Sequence, residues 1–254
     1  MTDPQLIRDL EGISAISWLA RERKQMGGWL LRANDGVTRR ANSVLPLDTP
    51  SLKTEEAIAA VIDFYHSRNL IPRFQMTSIS KPHELDNILV DAGWEYGLEV
   101  ALEIADIKEV LKEPVRVETR LIFRPDEEWM KAYIAGSGHR ESNPKIRENL
   151  MLRSPMKKVF AMAMIDGAIA SVGIGVRYKD WVGLFSIATV PRFRNQKAGT
   201  AVSQVIAAWG KSLGATHSYL QVETDNEAAI KLYDGLGFQN CYTYWYRFYK
   251  DENR

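Results

Sequence analysis

One cysteine, Cys241, is all the chain carries among 254 residues. No disulfide can therefore close within it, and a reducing compartment is the easier setting. Histidine is also scarce. Its four copies are scattered without metal-ligand spacing, so no zinc motif exists and no metal is expected. Net charge is nearly absent, at +1, which argues against a broad basic surface for nucleic acid. Long apolar runs are missing too. None approaches the roughly 18 residues that cross a bilayer, and the longest, near Ala168–Val176, is short, contains glycine and suits a buried strand. Arg8, Asp9 and Glu11, then Arg21, Glu22, Arg23 and Lys24, break up any N-terminal signal segment. A soluble, cytoplasmic protein without membrane or nucleic-acid partners is expected.

What is present fits a folded globular chain, with 45% hydrophobic and 26% charged residues in a length suited to one large or two ordinary domains. Residues 5–20 have helical apolar spacing. Gly27-Gly28 ends that segment, and Trp29–Ala33 reads as a strand. Asn34-Asp35-Gly36 signals a hairpin with a returning strand at Thr38–Leu47. A helix from Thr54 to about Arg68, a strand at Arg73–Ile79, a helix at Pro82–Ala92 closed by Gly93, and a strand at Glu95–Ile104 follow. Lys108–Pro114, charged and ending in proline, reads as a linker.

The second half starts with a strand at Val115–Phe123 and helices at Asp126–Ala135 and Pro144–Arg153. Strands at Lys158–Ile165 and Ala168–Tyr178 flank Asp166-Gly167, and Trp181–Val190 continues the sheet. A basic loop, Pro191–Lys197, opens an amphipathic helix at Gly199. A strand at His217–Glu223, a helix at Asn226–Leu236 and an aromatic strand at Tyr242–Tyr249 close the chain. The aromatic alternation of that last strand reads as core on one face.

The halves read as a divergent repeat. Phe74-Gln75-Met76 matches Leu220-Gln221-Val222 at an offset of 146 residues, and Ala92-Gly93-Trp94 falls opposite Leu236-Gly237-Phe238 at 144.

The loop before Gly199 can bind an anion. A helix with Gly199 and Thr200 in its first turn offers unpaired N–H groups and the positive end of its dipole. Arg194 and Lys197 add formal charge, and glycine permits close approach of a pyrophosphate.

Residues 115–250 resemble the GNAT superfamily of acyl-CoA-dependent N-acyltransferases. Three features carry the resemblance in order. Ile187-Ala188-Thr189-Val190-Pro191 is similar to the end of the family's cofactor-contacting strand. Arg194-Asn195-Gln196-Lys197-Ala198-Gly199-Thr200-Ala201 resembles its pyrophosphate loop. Asn226 to Phe238, NEAAIKLYDGLGF, resembles the family's N-x-x-A-x-x-x-Y-x-x-x-G-F signature and is the most specific of the three.

The resemblance implies an α/β fold of two GNAT-like domains, each a mixed, mostly antiparallel twisted sheet flanked by helices. Residues 1–107 would be a degenerate domain, 108–114 the linker and 115–254 the catalytic domain. It also implies acetyl-CoA as co-substrate, held by Ile187, Ala188, Thr189, Arg194, Asn195, Gln196, Lys197, Ala198, Gly199, Thr200, Asn226 and Tyr233. Backbone N–H groups near Ile187–Thr189 would polarise the thioester carbonyl, and Tyr233 would protonate the departing thiolate. An amine would attack directly within a ternary complex.

Lys197 stands where the family has its first loop glycine. A register shifted to Gln196-x-x-Gly199-x-Ala201 restores the pattern but breaks the spacing from Pro191, so the first is preferred. At an ordinary backbone angle a lysine still presents its N–H, and its ammonium adds charge. The general base has no firm signature: Ser186 and Gln221 occupy positions where an acidic residue is common. Glu223, two residues beyond Gln221 and on its face, is the choice, with His139 as rival.

In residues 1–107 the phosphate-loop counterpart, Pro46 to Lys53, has no glycine, and Leu89 stands opposite Tyr233, so no cofactor is expected there. The acceptor stays open among amino acids, polyamines, aminoglycosides and protein amines, as does the oligomeric state. The alternative function is a non-catalytic acyl-CoA-binding or regulatory protein that kept the fold.

Overall fold

The computed structural model describes residues 2–138 and 144–250. The chain forms two compact units. One comprises residues 1–100, 145–154 and 242–254, the other residues 101–144 and 155–241.

In the first unit, helix α1 (Pro4–Ser17) is capped by Asp3, whose carboxylate accepts from the Gln5 N–H. The hairpin β1 (Glu22–Met26) and β2 (Trp29–Ala33) follows. Its turn is Gly27-Gly28, with Gly27 at φ 58°, so that pair starts a hairpin rather than closing a helix. Asn34-Asp35-Gly36 does turn, with Asp35 and Gly36 at positive φ. The returning strand is much shorter than expected, only β3 (Val44–Pro46). The Asn42 side chain explains this: its Oδ1 accepts from the Asn34 and Gly36 N–H groups, and its Nδ2 donates to the Val37 and Thr38 carbonyls. The backbone is thereby satisfied as a loop.

Helix α2 (Thr54–His66), strand β4 (Arg73–Met76) and helix α3 (Leu85–Asp91) complete the local run of this unit. Trp29, Phe74, Tyr65 and Trp94 fill its core, with Phe74 edge-on to both Trp29 and Trp94.

The next strand, β5 (Glu95–Asp106), is divided between the units at Val100/Ala101. Helix α4 (Ile107–Val110), strand β6 (Glu118–Ile122) and helix α5 (Glu127–Ser137) belong to the second unit. Apart from Pro144, helix α6 (Pro144–Arg153) falls in the first. There Arg153 donates to the Leu19 carbonyl and to Asn34 Oδ1.

The second unit continues with β7 (Lys157–Ile165), β8 (Ala168–Tyr178) and β9 (Trp181–Thr189). Helix α7 (Ala198–Ser212) crosses to β10 (His217–Glu223), and helix α8 (Glu227–Asp234) follows. β6, β7, β8 and β9 pair antiparallel, β9 and β10 parallel. The strand order is β5-β10-β9-β8-β7-β6. Neighbouring residues of β7 serve opposite layers. Phe160 meets Trp129 of α5 edge-on, while Ala161 packs with Ala201, Val202 and Ile206 of α7. The parallel step needs a crossover helix, and α7 is that helix.

The last strand, β11 (Gln239–Phe248), is divided at Cys241/Tyr242. From Trp245 to Phe248 it pairs antiparallel with β4, which is why residues 242–250 count with the first unit. Tyr242, Tyr244 and Tyr246 are buried there, the one-faced alternation expected. The compact units are thus not contiguous in sequence and do not coincide with a division at residues 107 and 115. Nor is the segment 108–114 a free tether. Gln204 of α7 donates to the Val110 and Glu113 carbonyls and accepts from the Val115 N–H.

Candidate functional site

The site arises where β9 and β10 part. Their registered pairs run from Trp181–His217 to Leu184–Leu220. Immediately beyond, Ser186 has φ 53°, and the β8 register jumps from Ile174–Phe185 to Val172–Ala188. Two residues of β9 thus oppose one of β8, a bulge that twists the strand away from its neighbour. The diverging end, Ile187–Thr189, carries backbone groups that β10 does not pair. It is pinned from the other side: the Ser171 hydroxyl donates to the Ala188 carbonyl at 3.1 Å and meets Thr189 Oγ1 at 3.0 Å. Helix α5 closes over this end at Gly136. A Cβ there would lie 2.9 Å from the Ala188 backbone, so glycine permits the contact.

After a 3-10 turn at Pro191–Phe193, the loop makes two left-handed steps, Asn195 at φ 62° and Lys197 at φ 59°. Lys197 therefore does not meet the condition of an ordinary backbone angle. This explains why glycine suits the position: αL is open to glycine and costs other residues. Lys197 is also the N-cap of α7 and makes no side-chain cap bond, and the first turn of α7 holds no acidic residue. The leading N–H groups of the helix are left for an outside acceptor. Gly199 lies under Leu232 and Thr189, where a Cβ would meet Leu232 Cδ1 at 2.9 Å.

α8 supplies the third wall. Asn226 caps it, accepting from the Ala229 N–H at 3.2 Å, as its place in the motif predicts. Tyr233, the penultimate residue of α8, is 8% exposed and packs edge-on to Phe238. Burial, and next the charge of Glu103, raise its hydroxyl above the ordinary tyrosine value.

These elements enclose a cavity of ≈ 480 Å³ lined by Ile187, Ala188, Thr189, Arg194, Asn195, Lys197, Ala198, Gly199, Thr200, Asn226 and Tyr233. Two of the anticipated residues do not line it. The Gln196 amide instead donates to the Arg192 carbonyl, and Glu223 is exposed at the end of β10. His139 lies outside the described residues. Gly136, Phe193, Ala228, Lys231 and Leu232 also line the cavity and escaped sequence reasoning. Lys231 had a usable signal, since it sits two residues before Tyr233 within the motif. Gly136 had none.

The arrangement presents a helix N-terminus with cationic neighbours, an unpaired strand edge and a buried phenol in one cleft. It can hold an anionic ligand at one end and act on a reacting group at the other. Among the described residues no His, Cys, Asp and Glu group could hold a metal ion, and no helix is long and apolar enough to cross a membrane.

Comparison with known proteins identifies the family. The family model described as probable histone acetyltransferase Rv0428c C-terminal matches residues 5–247. The uncharacterized N-acetyltransferase YobR of Bacillus subtilis is 30% identical over 246 residues, covering 95% of this chain and 98% of that protein. The probable histone acetyltransferase Rv0428c of Mycobacterium tuberculosis is 30% identical over 92% of this chain and 70% of its own length. Among solved structures, a GCN5-related N-acetyltransferase from Kribbella flavida aligns over 96% of both chains with a TM-score of 0.71 at 14% identity. The likeness spans both units, so the chain belongs to the GNAT superfamily of N-acetyltransferases, in the family of the Rv0428c C-terminal region.

Proposed function

We propose that the protein transfers an acetyl group from acetyl-CoA to a primary amine, the amine attacking directly while both substrates are bound. The observation that carries this is one cavity that joins the uncapped start of α7, the freed end of β9 and Tyr233. The fit to an anionic donor rests on that helix end, which lacks acidic residues, and on Arg194, Lys197 and Lys231 around it. Acetyl-CoA, when bound, supplies an activated thioester carbonyl. The 194–200 segment holds the pyrophosphate through backbone N–H groups and cations. The unpaired edge at Ile187–Thr189 directs the pantetheine arm and polarises the carbonyl. Asn226, beyond capping α8, touches that arm.

Tyr233 donates its phenolic proton to the departing thiolate. From ordinary values near 10 and 8.5 this transfer is uphill by about 2 kcal/mol, and the burial of Tyr233 steepens it.

Replacing Tyr233 by Phe tests the reading. At saturating acetyl-CoA, turnover is expected to fall about 10²- to 10⁴-fold, with binding of acetyl-CoA by calorimetry unchanged. Full turnover in Y233F would remove the general-acid role.

A further inference from the structure

A buried carboxylate outside the cavity, Glu103, shares the layer that holds Tyr233. Glu103 sits in β5 between Ala101 and Ala105, and strand alternation turns all three to one face. Ala101 and Ala105 pack in the same buried cluster as Tyr233, Leu236 and Phe238. Glu103 is set into that layer, 4% exposed, and its Oε2 has no hydrogen-bond partner among the described residues. It does not line the cavity; Tyr233 does.

An ionised carboxylate in such a layer is costly unless paired. Burial raises Glu103 above the usual carboxylate range, and the Asp234 carboxylate adds to this. α8 faces it with two titratable groups, Tyr233 and Asp234. β10, beside β5 in the sheet, turns Leu220 and Val222 to this layer; its ionisable residues, His217, Tyr219 and Glu223, occupy the alternate positions. Of the first three residues of β11, only Cys241 ionises.

We propose that Glu103, in its carboxylic acid form, is the proton store of Tyr233 and reprotonates it after each transfer. This rests on Tyr233 being the general acid. The phenolic O–H breaks as the S–H of free CoA forms. The Glu103 O–H then breaks as the phenolic O–H forms again, and the Glu103 carboxylate regains a proton from water. A charged Glu103 would oppose a tyrosinate beside it. A neutral one removes that repulsion and donates to the phenolate, which eases the uphill transfer that burial steepens. Glu103 acts through Tyr233 and does not touch substrate.

Two measurements on the full chain test the proposal. In the substrate-free protein, infrared titration should show a protonated carboxyl band that persists to near-neutral pH, disappears in E103Q and moves to lower pH in D234N. With acetyl-CoA and either spermidine or poly-L-lysine, E103Q should lower kcat about 10- to 100-fold. It should also abolish the fall of kcat at rising pH as Glu103 ionises, and add nothing in a Y233F background. The absence of the carboxyl band in the wild type overturns the proposal, and that titration decides alone where neither amine is acetylated. Wild-type kcat in E103Q, or a loss that leaves the alkaline limb in place, also overturns it. Full turnover in Y233F removes the general acid itself, which is a separate failure.

Discussion

Lys197 holds a left-handed backbone at φ 59°, a conformation that costs an L-residue about 1–2 kcal/mol and glycine little. Part of that gain is offset, because glycine loses more backbone freedom on folding. K197G is therefore expected to raise stability by about 0.5–1 kcal/mol, read from the urea midpoint at constant slope. An unchanged or lowered midpoint would mean that the strain is not relieved. K197A keeps the strain and loses the ammonium, so the acetyl-CoA affinities of the two variants separate charge from backbone. Asn226, Gly199 and Tyr233 were legible as site residues because their roles are local to a helix start or a helix face. Glu103 was not, because what brings it to Tyr233 is a strand pairing between distant parts of the chain.

At the scale of elements, Gln204 fastens the 107–115 segment to α7 through three hydrogen bonds. Q204A leaves two carbonyls and one N–H without those partners, and about 2–3 kcal/mol should be lost. Equal denaturation midpoints for Q204A and wild type would show that segment to be a loose tether. In the first unit, Asp86 of α3 grips β11. It accepts two hydrogen bonds from Arg247, at 2.9 and 2.8 Å, and one from Trp245. The Arg247 bonds, foremost, lower the Asp86 carboxyl below its ordinary value. A carboxyl lowered on folding stabilises above its unfolded pKa, near 4, and that contribution is lost as pH falls through the folded value. With Asp86 partly exposed, D86N should cost about 1–2 kcal/mol at pH 7, and the gap should close at pH 2–3. A gap that stays constant down to pH 2 would assign the effect to packing.

For the molecule as a whole, the second unit draws one of its strands from the N-terminal half of the sequence. Residues 101–106 of β5 lie beside β10, and Ala101 and Ala105 pack in that unit's core. A fragment of residues 115–254 lacks them, exposes a β10 edge and strips the cluster around Tyr233 and Phe238. It should show no cooperative thermal transition, whereas the full chain should melt sharply. A fragment with a sharp transition near that of the full chain would make β5 dispensable.

Sequence alone determined most of the elements, since hydrophobic period, caps and turn glycines act over a few residues. It also determined the family, through the run from Asn226 to Phe238 and the loop before Gly199. Tertiary structure decided what depends on distant partners. The side chain of Asn42 converts an expected strand into a loop, and the β8 register creates the bulge at Ser186 that parts β9 from β10. Helix entry forces Lys197 into a left-handed turn. The allotment of β5 and β11 was equally invisible, because strand pairing obeys no sequence-local rule. That allotment sets Glu103 in the layer that holds Tyr233, a neighbour that no motif records.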